Sequence, residues 1–216
     1  MDESDIIIRE LQDKDRLDVR RISCETAFLK EAGSGLFDDD EILADALTAY
    51  FTDYEPGSCF VAEKDGKVIG YIIGSKNTTA MAKTFKFRIA PKLLLKSIRR
   101  GLFLKRGAWI FLLHCLASFL KGEFWVPDLS KEYPATLHIN IDEDFRGLRL
   151  GTRLIEYYLG FLREKGIKGV HFGTSSEGAK TFFLKSGFEL LFEGKRTFLK
   201  YAMGKDLSYY IFGRRL

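Results

Sequence analysis

The chain has 216 residues and a formal net charge of +4 at pH 7, with 46% hydrophobic and 30% charged residues. This composition is typical of a globular protein with a core, and it excludes a wholly disordered chain or a fibre. The length predicts a single domain over residues 1–216. Cys24, Cys59 and Cys115 are far apart and follow no metal-ligand spacing. We therefore expect free thiols, no metal site and a reducing, cytoplasmic location. The N-terminus lacks a basic stretch followed by an apolar one, so no signal peptide is expected.

The first part of the chain alternates strand and helix patterns. An apolar run predicts a strand over residues 6–11, and a looser apolar pattern predicts a helix over 13–29. Two glycines, Gly33 and Gly35, then interrupt the pattern. The acidic run 38–40 is expected to cap a second helix that ends near Phe51, because acidic side chains are favourable at a helix N-terminus.

A β-hairpin is predicted next. The β-rich runs 58–63 and 67–74 are separated by a short turn that contains Asp65 and Gly66. Asp-Gly between two such runs is a strong hairpin signal, since both residues accept the backbone angles of a tight turn.

The pattern changes between residues 77 and 134, which we interpret as an insertion. Residues 91–104 carry apolar side chains at helical spacing and predict a helix with Pro91 in its first turn. A second helix is predicted over 107–120. It is apolar nearly all round, so we expect it to be buried, at a dimer interface or in contact with a membrane.

Charge is unevenly distributed along the chain. Residues 66–122 contain twelve Lys or Arg and no Asp or Glu, so the rest of the chain is net acidic. Such a basic segment usually meets an anionic partner: a membrane surface, nucleic acid, a phosphate-bearing ligand or the protein's own acidic face. No recognisable nucleic-acid-binding module accompanies the charge, which makes a nucleic-acid partner the weaker interpretation.

The strand and helix alternation resumes at Ala135. The predicted elements are a strand over 136–141, an amphipathic helix over 150–165, a strand over 168–173, a short helix to Lys185 with a capping box of Thr174 and Glu177, and a last hairpin of 188–192 with 197–203.

A glycine-bearing loop joins the strand 136–141 to the helix that follows it. Its sequence is Arg146-Gly147-Leu148-Arg149-Leu150-Gly151-Thr152. The first N–H groups of a helix have no partner within the helix and lie at the positive end of its dipole, so such a loop is suited to binding an anion.

This loop resembles the acetyl-CoA loop of the GNAT superfamily of N-acetyltransferases, which reads Arg/Gln-x-x-Gly-x-Gly/Ala. A second stretch, Ala179-x-x-Phe182-Phe183-x-x-x-Gly187-Phe188, resembles a later motif of the same family. The resemblance covers about residues 6–76 and 135–206. It implies an α/β fold with a mixed, mostly antiparallel twisted sheet flanked by helices, in which the two central parallel strands part in a V.

The resemblance implies that acetyl-CoA binds along the central strand and the loop. The residues placed there are Ile139, Ile141, Arg146, Gly147, Leu148, Arg149, Gly151 and Thr152. It also implies acetyl transfer to a primary amine of a small molecule or protein by direct attack. A strand N–H would polarise the thioester carbonyl, and a carboxylate or a water chain would remove a proton from the amine. In this chain His138 of the central strand is the candidate base, because its strand position could direct it toward the acceptor.

Three positions depart from the family pattern. Arg149 stands where the family has glycine, so the backbone there is expected to suit a residue with a Cβ. Phe183 replaces the tyrosine that commonly protonates the leaving thiolate, and Ser176 replaces an asparagine. The proton donor is then Ser175, Ser176 or a water, or the thiolate leaves without help. The alternative is a catalytically weak CoA-binding or interaction module that uses its basic insertion for recognition.

The insertion allows three interpretations. The first is a lid for an anionic acceptor, with Lys92, Lys96, Arg99 and Arg100 near the substrate. The second is a peripheral membrane element that inserts Trp109, Phe111, Leu112 and Leu113. The third is a homodimer interface.

Overall fold

The computed structural model describes residues 5–27 and 39–216. The strands of the described residues are β1 (Ile7–Glu10), β2 (Cys59–Lys64), β3 (Lys67–Ser75), β4 (Thr136–Ile141), β5 (Gly169–Thr174), β6 (Glu189–Arg196) and β7 (Leu207–Arg215). The helices are α1 (Arg16–Glu25), α2 (Asp40–Tyr54), α3 (Thr78–Thr84), α4 (Ala90–Arg99), α5 (Arg106–Leu120), α6 (Leu150–Glu164), α7 (Glu177–Lys185) and α8 (Lys200–Met203).

The strands form two antiparallel sheets, in the orders β1-β2-β3-β4 and β5-β7-β6. A parallel bridge between Ala135 and Val170 joins them. There Ala135 N–H donates to Gly169 O at 3.1 Å, and His171 N–H donates to Ala135 O at 2.9 Å. Beyond this bridge β4 and β5 part. The predicted fold class, a mixed and mostly antiparallel sheet with a V between two parallel strands, is confirmed.

The central helix α6 covers the sheets with the predicted apolar face. Its two rows of apolar side chains are buried: Leu150, Leu154, Tyr158 and Leu162 in one row, and Ile155 and Leu159 in the other. Tyr158 Oη donates to Thr136 O at 2.9 Å. A Cβ on Gly74 would lie 2.0 Å from that hydroxyl and 2.4 Å from Thr136 O, so only glycine fits at this point of β3.

The predicted β2–β3 hairpin is confirmed, with Lys64 paired to Lys67 across the turn. Asp65 and Gly66 both have positive φ, 50° and 78°. This is the geometry that the Asp-Gly signal predicts.

The two N-terminal helices are close to prediction. A short 3₁₀ turn at Asp13–Asp15 precedes α1. The structure does not describe residues 28 and 29, the predicted end of the first helix. Gly33, Gly35 and Asp38 also lie outside the described residues. Asp39 caps α2 by accepting hydrogen bonds from the N–H groups of Glu41 and Ile42, each at 3.2 Å.

Residues 77–134, predicted to be an insertion, leave and re-enter the sheet at one place. Ser75 at the end of β3 pairs with Thr136 at the start of β4, and Thr78 N–H donates to Pro134 O at 2.8 Å. The segment between them therefore projects from the end of an ordinary antiparallel strand pair.

The predicted start of the first inserted helix at Pro91 was wrong. Helix begins at Thr78, passes through a π turn at Phe85–Ile89 and continues to Arg99. In the π turn Ala90 N–H bonds to Phe85 O, five residues back. Proline has no N–H and so cannot donate a hydrogen bond to the preceding turn. The π turn just before Pro91 accommodates this loss, so Pro91 lies inside a continuous helical path. The second inserted helix, α5, agrees with prediction.

Part of the basic segment meets the protein's own acidic face. Lys96 Nζ lies 2.6 Å from Asp45 Oδ2 and 3.3 Å from Glu41 Oε2, and Arg100 pairs with Asp39. These pairs, with the apolar contact of Leu102 and Ala108 against Ile42, hold the insertion on α2.

The last hairpin was predicted wrongly. β6 pairs with β7 over residues 207–215, whereas residues 197–203 form a turn and α8. Residues 207–215 are rich in aromatic side chains and form the longer strand, which pairs on both edges. The capping box was also wrong: Ser176, not Thr174, caps α7, and its Oγ accepts from Ala179 N–H at 3.3 Å.

Within the described residues, no helix combines the length and the apolar character needed to cross a membrane.

Candidate active site

Two adjoining cavities lie where β4 and β5 part. The first, here called the cleft, has a volume of about 620 Å³ and lies between the two strands and the end of α1. The second, here called the loop cavity, has a volume of about 650 Å³ and lies against the start of α6. Both are lined by Ile139, Asn140, Arg146, Ser176, Ala179 and Phe183. They therefore form one continuous groove.

Most of the residues predicted to hold acetyl-CoA line the loop cavity. These are Ile139, Ile141, Arg146, Gly147, Arg149, Gly151 and Thr152. Leu148 differs, because its side chain packs against the main core. The groove thus brings together the strand and loop positions that the motif indicated.

Backbone N–H groups at the start of α6 point toward an anion site. The first i to i−4 hydrogen bond of the helix runs from Arg153 N–H to Arg149 O at 3.1 Å. The N–H groups of Leu150, Gly151 and Thr152 precede it and so have no partner within the helix. With the helix dipole and the cationic side chains of Arg146 and Arg149, this end of the cavity suits a pyrophosphate.

The backbone at Arg149 overturns one expectation. Its φ of 50° and ψ of 10° are left-handed, the conformation that glycine adopts most easily. The loop therefore keeps the glycine geometry of the family despite the Cβ, at a cost of about 1–2 kcal/mol. The exposed Arg149 side chain adds a cation at the mouth of the loop cavity.

Gly151 allows two helices to pack closely. A Cβ there would lie 2.9 Å from Phe182 Cζ on α7. Its absence allows the start of α6 and the middle of α7 to approach each other across the loop cavity.

Strand geometry supplies free backbone groups along one edge of β4. The N–H and C=O of Ala135 both face β5, and backbone groups of alternate residues point to the same edge of a strand. Those of Leu137, Ile139 and Ile141 therefore face the opening, where no described strand pairs with them. This edge is suited to pairing with an extended amide-bearing chain.

His138 lines the cleft and takes part in a fixed network. Asn140 Nδ2 donates to Tyr71 Oη at 2.7 Å and to His138 Nε2 at 2.9 Å. This network assigns the imidazole proton to Nδ1. Burial lowers the pKa of His138 from its ordinary value of 6.5 to about 4. The imidazole is therefore neutral at physiological pH, and its Nε2 lone pair is already used.

The two positions that depart from the family motif in α7 differ in accessibility. Ser176 is exposed and lines both cavities; its Oγ accepts the capping bond, which leaves its hydroxyl proton free to donate. Phe183 is buried against other aromatic rings, with centroid distances of 4.4 Å to Phe172 and 5.8 Å to Phe188.

Two cleft residues were missed by sequence reasoning because they lie on the misassigned hairpin. Tyr209 of β7 carries its hydroxyl over β5, where a Cβ on Gly173 would lie 2.0 Å from Oη. Arg196 at the end of β6 stacks on the Tyr209 ring at 3.5 Å and lies 5.3 Å from the Phe124 ring. No short motif marks them, because their placement follows from strand pairing.

The described lining of the cleft is cationic. Arg146 and Arg196 are the charged side chains among the described residues that line it, and none of those residues is Asp or Glu. Arg196 forms no ion pair within the described part of the chain, and its buried Nε has no hydrogen-bond partner there. In the same described ranges, no cluster of three or more His, Cys, Asp or Glu is placed to hold a metal ion.

Known proteins resemble this chain in sequence over a short stretch and in fold over almost its whole length. No protein-family model matches the chain. An uncharacterised N-acetyltransferase of Methanocaldococcus jannaschii is 34% identical over 68 residues, which cover 30% of this chain and 30% of that protein.

Many solved structures match the chain, among them three that cover almost its whole length. A protein called SsHAT is 24% identical with a TM-score of 0.69, over 97% of this chain and 98% of its own. An agmatine N-acetyltransferase mutant is 19% identical with a TM-score of 0.64, over 98% and 100%. A polyamine N-acetyltransferase of Drosophila melanogaster is 18% identical with a TM-score of 0.59, over 98% and 100%.

These structures share the mixed sheet flanked by helices that is described above. The chain has the fold of the GNAT superfamily of N-acetyltransferases, as the loop motif predicted.

Proposed function

We propose that the protein is an N-acetyltransferase that moves the acetyl group of acetyl-CoA to a primary amine by direct attack. The observation that carries the proposal is the continuous groove, which runs from the anion-binding end of α6 along the unpaired edge of β4 into the cleft. Its order of features fits the order of chemical groups in acetyl-CoA: pyrophosphate, amide-bearing arm and thioester.

The proposed holding residues follow the same order. N–H groups from Leu150 to Thr152, with the side chains of Arg146 and Arg149, bind the pyrophosphate. The turn at Gly147 has a φ of 88°, and a Cβ there would meet no atom within 4 Å, which leaves room for the pyrophosphate. Backbone groups of Ile139 and Ile141 pair with the amide-bearing arm. The N–H of Ile139 also polarises the thioester carbonyl, where negative charge develops during attack.

His138 is proposed as a positioning residue and not as the base. A group with a pKa of about 4 cannot effectively deprotonate an alkylammonium ion, because the proton transfer is strongly uphill. The acceptor instead loses its proton to water before attack, and the fixed His138–Asn140–Tyr71 network shapes the cleft.

If His138 is not the base, the pH dependence of the reaction should show no ionisation of a histidine. The resonance of the His138 ring should stay constant between about pH 5 and 8 in an NMR titration, with His138→Gln identifying the signal. The plot of log kcat/KM should rise with pH as the amine loses its proton, with no break near 6.5. Because the folded pKa lies below the unfolded one, His138 also lowers the free energy of unfolding as pH falls from about 6.5 to about 4. A break near 6.5 that His138→Gln removes would restore the histidine as base.

Tyr209 is proposed as the donor of a proton to the leaving thiolate, with Ser176 as the alternative. Both hydroxyls border the cleft. The cleft hydroxyl of Tyr209 would replace the tyrosine that the family pattern places at Phe183, which here completes an aromatic cluster.

The acceptor amine is proposed to carry an anionic group. Two of the solved neighbours act, by their names, on agmatine and on polyamines, which are cationic. Among the described residues of this cleft no carboxylate is present to receive a second cation, whereas Arg196 has no anionic partner. A carboxylate or phosphate on the acceptor would supply one.

Ligand-dependent thermal unfolding tests acetyl-CoA binding. At about 100 times its dissociation constant, acetyl-CoA should stabilise the protein by about 2.7 kcal/mol, a rise in Tm of roughly 5–10 °C. CoA should act similarly and ATP should not.

Arg149 provides a matched pair of variants for the same assay. Arg149→Gly should raise the Tm of the free protein because it relieves the left-handed strain, whereas Arg149→Ala keeps the Cβ and should not. Both should bind acetyl-CoA about tenfold more weakly through loss of the guanidinium. Unchanged affinity in both would remove Arg149 from the proposed phosphate site.

Thiol release with a panel of amines separates transfer from binding alone. A shift in Tm with acetyl-CoA but no thiol release would favour the alternative, a CoA-binding or interaction module.

We also propose that the chain is a single domain into which residues 77–134 are inserted, and that the protein is located in the cytoplasm. All three cysteines lie within the described residues and form no disulfide there, which supports a reducing compartment.

A further inference from the structure

Helix α5 presents an apolar face to solvent. Its inner side packs on the body of the protein, where Ala108 and Ser118 are buried and Phe111 contacts Phe198 with ring centroids 5.9 Å apart. The outer side carries Trp109, Leu112, Leu113, Leu116, Phe119 and Leu120, each 40–77% exposed. Their helical spacing places them in one continuous stripe.

Other large apolar side chains of the insertion are also exposed. Leu94, Leu95 and Ile98 of α4 are about half exposed, Leu104 between the helices is 91% exposed, and Trp125 after α5 is 68% exposed. We call α4, α5 and these flanking residues the apolar-basic face. Soluble monomers rarely expose so many large apolar side chains together unless a partner covers them.

The segment that carries α4 and α5 has charge of one sign. Residues 66–122 contain no Asp or Glu. Lys96 and Arg100 are paired with α2, but six exposed cations form no ion pair with a described residue: Lys83, Lys86, Arg88, Lys92, Arg99 and Arg106. The partner must therefore accept both apolar contact and a concentrated positive charge.

A second copy of the chain fits these requirements poorly. A two-fold interface places the same surface on both sides, so the unpaired cations would face each other without a carboxylate between them. An anionic lipid surface offers apolar depth and negative headgroups at the same time. Exposed tryptophans, such as Trp109 and Trp125, are the side chains most enriched at the membrane–water interface.

We propose that the apolar-basic face binds the surface of an anionic lipid membrane. α5 lies parallel to the surface with its outer stripe in the headgroup and acyl boundary, and the lysine and arginine side chains of the insertion extend to the lipid phosphates. The face lies outside the residues that line the groove, so the proposal does not depend on acetyl transfer.

Co-sedimentation with vesicles tests the proposal on the full chain. The protein should bind vesicles of phosphatidylcholine with added phosphatidylglycerol, should bind weakly to phosphatidylcholine alone, and should dissociate as salt is raised. Leu113→Glu/Leu116→Glu should abolish binding. Lys92→Glu/Arg99→Glu should weaken it at least about 30-fold, since each surface cation contributes about 1 kcal/mol, roughly a fivefold factor.

Leu17→Glu is the matched control, because Leu17 is a highly exposed leucine on α1 and outside this face. It should bind as the unchanged protein does. All of these side chains are exposed, so each variant should keep its Tm, which confirms that it is folded. Absence of binding to anionic vesicles would overturn the proposal. So would a stable dimer in analytical ultracentrifugation that Leu113→Glu/Leu116→Glu dissociates, because a second copy would then cover the face.

Discussion

Arg196→Glu is expected to reverse the charge preference of the acetyl acceptor. With the arginine, amines that carry a carboxylate or phosphate, such as glycine or phosphoethanolamine, should outcompete agmatine and spermidine in thiol-release assays. With glutamate, kcat/KM for the anionic amines should fall at least about 30-fold, and that for the cationic amines should rise. The loss corresponds to about 2 kcal/mol, the lower end for removing one partner of a desolvated charge pair.

The position of Arg196 explains the size of this effect. The guanidinium stacks on Tyr209 and lines the cleft, and its buried Nε has no hydrogen-bond partner among the described residues. Charge in such a partly desolvated site acts more strongly than charge on an open surface.

Arg163→Gln is a control, since this exposed arginine of α6 lines neither cavity. It should leave acceptor preference unchanged. Equal use of cationic amines by the unchanged protein and by Arg196→Glu would refute an anionic acceptor while leaving acetyl transfer intact. Absence of thiol release with every amine would count against the transferase itself.

Tyr209→Phe is expected to lower kcat by about 100-fold without changing the affinity for acetyl-CoA. General acids contribute about 10²–10⁴-fold, and a thiol of pKa about 8.5 needs only modest help to leave, which places the effect at the lower end. Gly173→Ala should give a similar defect, because the new Cβ would displace the hydroxyl that now lies over Gly173.

Ser176→Asn tests whether Ser176 or Tyr209 donates the proton to the leaving thiolate. Asparagine caps a helix as well as serine does, so the start of α7 should remain stable while the Ser176 hydroxyl is lost. If kcat falls with Ser176→Asn and not with Tyr209→Phe, Ser176 is the donor. If neither variant changes kcat, the thiolate leaves without protein assistance.

The sequence predicted the parts of the fold that local signals control. The apolar rows of α6, the Asp65-Gly66 turn and the strand-to-loop motif ending at Thr152 all depend on residues close together in the chain. The same motif indicated the residues that line the loop cavity, because a loop between a strand and a helix carries its geometry with it.

The rest depended on contacts that a local pattern does not contain. Residues 197–203 are apolar enough for a strand, yet β6 pairs with 207–215, and this long-range choice brings Tyr209 to the cleft. Proline within a helix is most common in the first turn, and the i to i−5 bond that lets helix precede Pro91 has no sequence signal. Nor did the motif indicate that Arg149 would adopt the backbone angles of glycine.

The pairing of Ser75 with Thr136 has a consequence for how such a protein can change over time. Because the inserted segment departs and returns at neighbouring residues of one strand pair, its length and surface chemistry can vary without altering the register of the sheet that forms the groove. The proposed membrane face and the proposed acetyl-transfer groove are thus encoded in separable parts of the chain. Substitutions in the proposed membrane face need not alter the groove.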